Sequence, residues 1–238
     1  MKGEFEIVLQ GGRVVRASAR DASRGEMAKR LQAALKIPVR VSDALSRTRA
    51  TFSPIENLPL TDLLTRLAPV VYLDSREPWG ANPELLAIHL LEATEPEPPA
   101  LEATAIAIEG TVEDSDDAED NDPRPASDRG ARASAPAPSP VPEDGPFLRV
   151  LRLADGRLNI DARDQGLGVL LFQAAQACGA RFDLRIPEAP VVGRFSVNGI
   201  LPSQLPTLLG FPGVGVDVRR NVLTGDETVL RFFVDVAP

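Results

Sequence analysis

Few residues in this chain are equipped for chemistry. Cys178 is the single cysteine and His89 the single histidine. A nucleophile needs a base within hydrogen-bond reach and a third group to orient that base, and one histidine supplies one such base at most. Cys178 falls at an apolar helix spacing and reads as a small buried hydrophobe. His89 falls on the outer face of a strand, so no catalytic role is expected of it. One cysteine forms no internal disulfide, and with one histidine it leaves too few soft ligands for a zinc site. The acidic run Glu113 to Asp122 offers hard oxygen ligands. A calcium loop opening at Asp114 needs glycine in its sixth place and glutamate in its twelfth, where this chain has Glu119 and Pro125. Gly213-Val214-Gly215 lacks the rest of a nucleotide fingerprint and reads as a turn. No catalytic, metal or cofactor residue is therefore expected.

What remains is contact chemistry. Trp79 sits in the loop Pro78-Trp79-Gly80, placed either to anchor a partner or to fold back on its own domain. In the last strand, Val229 to Val236, alternation turns Leu230, Phe232, Val234 and Val236 inward. Phe233 then faces out between Arg231 and Asp235. Phe233, Arg231 and Trp79 are the expected partner-binding residues.

These candidates need elements to hold them. The 238 residues are 43% hydrophobic and 25% charged, an ordinary balance for a globular protein. No apolar run is long enough to span a membrane, and Met1 to Glu6 carries no signal-peptide pattern. Between Ala93 and Gly145 stand fourteen acidic residues against three arginines, so most of the formal charge of −8 belongs there. The rest is close to neutral, which argues against a nucleic-acid partner. The same segment is rich in proline and is expected to be a disordered acidic linker, with a short strand at Ala103 to Ile108 as its one local element. About fifty residues of flexible coil span roughly 40 Å, so the flanking domains are expected to move independently.

Those flanks repeat each other. Gly12-Arg13 is matched by Gly156-Arg157, and Ala19-Arg20-Asp21 by Ala162-Arg163-Asp164. Each pair brackets an alternating strand, with Val15, Ala17 and Ala19 on one face of the first and Leu158, Ile160 and Ala162 of the second. A helix follows, opened by the capping box Ser23/Glu26 in one copy and by Asp164 in the other. The offset from Gly25 to Gly168 recurs from Val41 to Leu184. A strand with Phe52 or Phe195, an Asn at 57 or 198 and a leucine helix come next, with Leu201, Leu205 and Leu208 inward in the second. A hairpin closes each copy. Each reads β-β-α-β-β-α-β-β over about ninety residues, a size at which domains fold alone.

This pattern resembles the secretin and TonB short N-terminal (STN-like) domain. Asp164-Gln165-Gly166-Leu167-Gly168-Val169-Leu170 is similar to the family's Asp-x-x-Leu-x-x-Val/Leu stretch, and Asn57-Leu58-Pro59-Leu60-Thr61-Asp62-Leu63-Leu64 to its Asn-x-Pro-Leu signature. The resemblance implies an α+β fold: two small βαββαβ-type sandwich domains, at 4–92 and 146–238, joined by the linker at 93–145. It also implies a non-catalytic adaptor of the bacterial cell envelope, with secretion-system or TonB-dependent transport components as protein partners and no cofactor. The alternatives are a self-associating structural protein or a small carboxylate hydrolase. The family is periplasmic, so the expectation is that the start is incomplete; a genuine start implies the cytoplasm.

Overall fold

The computed structural model describes residues 3–10, 13–99, 145–186 and 190–235. The first half runs β1 (Glu4–Gln10), β2 (Arg13–Ser23), α1 (Arg24–Leu35), β3 (Val39–Val41), α2 (Asp43–Ser46), β4 (Arg49–Pro59), α3 (Leu60–Leu67), β5 (Val70–Pro78) and β6 (Glu84–Leu91). The second runs β7 (Phe147–Arg152), β8 (Leu158–Gly166), α4 (Leu167–Cys178), β9 (Arg181–Leu184), β10 (Val191–Ile200), a 3-10 turn (Pro202–Gln204), α5 (Leu205–Leu209), β11 (Val214–Asn221) and β12 (Glu227–Val234). Apart from α2 and the 3-10 turn, the order of elements is the same in both.

The backbone repeats as well. Left-handed φ falls at Asp21 and Asp164, at Lys36 and Gly179, and at Asn57 and Gly199. Lys36 and Gly179 each end a helix in the left-handed cap that satisfies its last carbonyls. Ser23 caps α1, its Oγ accepting from the Glu26 N–H at 3.3 Å. Asp164 does not cap α4. It takes left-handed φ within β8, and Gly166 stands at the cap without a side chain to offer. Asn57 aligns in conformation with Gly199, one residue beyond the Asn198 expected from sequence.

Each half packs its helices between two sheets. Strands β1-β2-β4 form one three-stranded sheet and β7-β8-β10 the other. Met27, Leu31, Leu63, Leu64 and Leu67 fill the first core; Leu170, Leu171, Ala174, Leu205 and Phe232 are central to the second. Bulges move some of the inward positions. A register shift at Val8/Leu9 puts Val14 in the core instead of Val15, and one at Asp217/Val218 puts Val229 there instead of Leu230. The last helix is only five residues long after its 3-10 turn, and Leu208 is left exposed.

The second layer overturns the expected independence of the halves. Strands β3-β6-β5-β11-β12-β9 form one six-stranded sheet, with β5 and β11 pairing antiparallel from Tyr72↔Asn221 to Pro78↔Gly215. Both halves belong to a single compact unit. A seven-residue backbone ladder holds each last hairpin against the other. The chain also stays on the fold past Ala93, where it was expected to leave: the Pro98 and Pro99 carbonyls accept hydrogen bonds from Arg219. The rest of the expected linker, with its acidic run and the strand at Ala103 to Ile108, lies outside the described residues.

Candidate interaction surfaces

The face of the six-stranded sheet away from the helices carries a network of charges. Asp74-Ser75-Arg76 on β5 and Asp217-Val218-Arg219 on β11 are the same Asp-x-Arg motif, 143 residues apart. The antiparallel register sets Asp74 opposite Arg219 and Arg76 opposite Asp217, so each motif supplies the partner of the other. Arg219 reaches Asp74 through Nε to Oδ1 at 2.6 Å and Nη2 to Oδ2 at 2.8 Å. His89 Nε2 lies 2.9 Å from the same Oδ2. All three side chains are buried, Arg219 at 1% exposure. Burial alone would raise the Asp74 carboxyl, but hydrogen bonds from Arg219 and His89 outweigh it and hold the group below its ordinary value.

The reciprocal pair lies nearer the surface and extends into a ladder. Arg76 Nε donates to Asp217 Oδ1 at 3.0 Å, Arg231 Nε to Asp217 Oδ2 at 2.9 Å, and Arg231 Nη1 to Asp183 Oδ2 at 2.7 Å. Burial disfavours the Arg231 charge, yet the bond to Asp217 more than compensates and its pKa rises.

These contacts correct two expected binding residues. Phe233 does project from the face away from the helices, but it is only 5% exposed. Its ring lies over Gly215, where a Cβ would overlap it, and the Arg76 and Arg231 guanidiniums stand 5.2 and 5.5 Å from its centroid. Arg231 is consumed by two carboxylates. Trp79 alone keeps an open side chain, 38% exposed, while its N–H donates to the Val214 carbonyl at the end of the seam. His89, expected on an outer face, is on that face but covered.

The two ends of the six-stranded sheet are its free edges, β3 and β9, and they differ. On β3 the bonds of Ile88 N–H to Pro38 and of Ser42 N–H to Leu90 turn Val39 outward. Its free N–H is taken by Gln32 Oε1 at 3.3 Å. On β9 the bond from Arg185 N–H to Val234 makes the intervening Phe182 and Leu184 the outward-facing backbone. Among the described residues nothing pairs with them; Ala175 stands where Gln32 stood. The neighbouring helix differs too. The open face of α1 is charged, with Lys29 and Glu26 paired at 3.4 Å. At the same positions α4 has Phe172 and Val169, 45% and 51% exposed. Phe172 meets Phe182 edge-to-face at 6.2 Å, and Leu184 beyond it is 43% exposed.

No family model, no curated protein and no solved structure matches this chain.

The remaining candidates are quieter. A shallow hollow of about 390 Å³ on the three-stranded sheet β1-β2-β4 is lined by Glu4, Glu6, Ser18, Arg20, Thr51 and Phe52 among others. Among the described residues no three His, Cys, Asp or Glu gather as metal ligands, and no helix is long and apolar enough to cross a membrane. Cys178 is half-buried, and burial pushes its thiol up to about 11, far from the lowered values that make cysteines reactive.

Proposed function

We propose that this chain is a non-catalytic protein–protein interaction adaptor of the bacterial cell envelope, built from tandem STN-like modules and serving secretion-system or TonB-dependent transport components. The observation that carries this reading is the apolar surface of the second half. Val169, Phe172 and Leu184 are exposed beside a strand edge that is unpaired among the described residues, whereas the charged groups of the other sheet face are committed to one another. Exposed apolar groups gathered beside an open edge suit a binding surface. The two-sheet sandwich around the helices, repeated in both halves, agrees with the family that the sequence resembles. A histidine buried against Asp74 and Arg219 and a thiol held protonated favour binding over catalysis.

The test is affinity capture from an envelope fraction with the full chain as bait, beside the Val169→Glu/Phe172→Lys variant. Secretin or transporter components retained by the native chain and lost by the variant support the adaptor. Retention of the chain alone, rising with its concentration, favours the self-associating alternative.

A further inference from the structure

We infer that the groove between the β9 edge and α4 takes an extended peptide in which apolar residues alternate with acidic ones. The inference deepens the adaptor reading and rests on it, naming the chemistry of the partner. It comes from comparing two positions that the duplication makes equivalent. In the first half this site is closed twice: Gln32 takes the outward N–H of Val39, and Lys29 with Glu26 makes the helix face polar. Among the described residues of the second half both closures are gone. The backbone groups of Phe182 and Leu184 face outward, and a strand laid against β9 would satisfy them.

The side chains beside that edge set what the strand must carry. Helix α4 and β9 run antiparallel through the tight connection Gly179-Ala180. Moving one turn back along the helix, from Phe172 to Val169, therefore follows the strand forward from Phe182 to Leu184. Phe172 and Phe182 touch, and the element directions put the exposed Val169 and Leu184 beyond them on the same side. Alternate side chains of an added strand would pack on these apolar groups. The other face of β9 presents Arg181 and Arg185. Asp183 between them is already held by Arg231 at 2.7 Å. Arg185 lies 3.5 Å from Asp235 with most of its side chain in solvent, and Arg181 has no ion-pair partner among the described residues. The remaining side chains of the strand would meet this positive strip, which selects Glu and Asp.

The probe is a fluorescein-labelled octapeptide, Glu-Val-Glu-Ile-Glu-Val-Glu-Ile, titrated against the full chain by fluorescence anisotropy. Its controls are a scrambled peptide with its acids and aliphatics in two blocks, and the same octapeptide N-methylated at alternate residues. We expect the alternating peptide to bind at least tenfold more tightly than either control. Val169→Glu/Phe172→Lys, which places first-half residues on an exposed face, should abolish binding with an unchanged melting temperature. Arg181→Ala/Arg185→Ala should weaken it and flatten its salt dependence. Equal binding of all three peptides, or full binding by the Val169→Glu/Phe172→Lys variant, overturns the inference. So does absence of peptide binding by a chain that still captures an envelope partner, which leaves the adaptor reading standing with a different surface. Loss of self-association in the Val169→Glu/Phe172→Lys variant without any peptide binding overturns it in favour of a second copy as occupant.

Discussion

Arg219, from the second half of the chain, grips Asp74 of the first through two hydrogen bonds in a site from which solvent is excluded. The two residues are 145 positions apart, and their bond joins halves that are copies of one another. Removing one member of a buried ion pair strands the other charge and costs about 3–5 kcal/mol. Arg219→Met is therefore expected to lower stability by that amount in urea unfolding. Asp74→Asn should do the same, and the double variant should lose less than the two single losses combined. Additive losses would show that the pair is not the unit of stabilisation.

The reciprocal pair should matter less. Arg76 is about one-third exposed and shares Asp217 with Arg231, so Arg76→Ala leaves that carboxylate paired. A loss of about 1 kcal/mol or less is expected, as for partly solvated pairs. The two Asp-x-Arg motifs are alike in sequence and unequal in burial, and comparing Arg76→Ala with Arg219→Ala measures that difference directly. A loss for Arg76→Ala as large as that for Arg219→Ala would place the rim pair in the core of the seam.

Acid should reach the seam late. The folded Asp74 carboxyl sits below its ordinary value of 3.8, so its contribution to stability is complete above that value and is lost as the pH falls beneath it. The difference in melting temperature between the native chain and Asp74→Asn should narrow as the pH falls below about 3.8. A difference that persists unchanged down to about pH 2.5 would show that the carboxyl is not depressed.

Much of this architecture is legible in the residue pattern alone. The period-two strands, the Ser23 cap, the leucine helices and the constant offset between Gly25/Gly168 and Val41/Leu184 define both copies and their element order. The same offset also carries Asp74 to Asp217 and Arg76 to Arg219, and that is the signal for the seam. It is easy to miss because an Asp-x-Arg strand looks like any solvated strand face until a partner strand is laid against it. Phe233 misleads for a related reason. Alternation gives the face of the sheet correctly, but it does not report that Gly215 opposite makes room for the ring or that two guanidiniums close over it. Bulges near Val15 and Leu230 shift side chains between faces by backbone geometry that no side-chain pattern announces. The open groove beside β9 is legible only as a contrast, Phe172 against Lys29 and Val169 against Glu26, once the two helices are superimposed.

Phe233 is expected to behave as core. Phe233→Ser should cost about 3–5 kcal/mol, as large aromatic truncations in packed sites do. Gly215→Ala should also destabilise, because its Cβ meets the ring, and Phe233→Leu should recover part of that loss by withdrawing the ring edge. A Phe233→Ser variant that melts with the native chain would return this residue to the surface.

Cys178 provides a chemical clock for the second half. Burial lifts its thiol from 9.0 to about 11, which reduces the thiolate fraction at neutral pH about a hundredfold. The thiolate is the reacting species in alkylation, so iodoacetamide at about pH 7.5 should label the folded chain about a hundred times more slowly than the chain in urea. Because the six-stranded sheet ties β12 and β9 to β5, Arg219→Met should loosen the second core and accelerate labelling, although Arg219 makes no contact with the thiol. Cutting the chain at a protease site placed at Gly130 should leave the rate unchanged, since the seam holds the halves together without the connecting segment. Labelling at the free-thiol rate in the native chain would mean that the sulfur is open to solvent. Labelling that speeds up on cleavage would mean that the connecting segment, and not the β5–β11 ladder, keeps the second half closed.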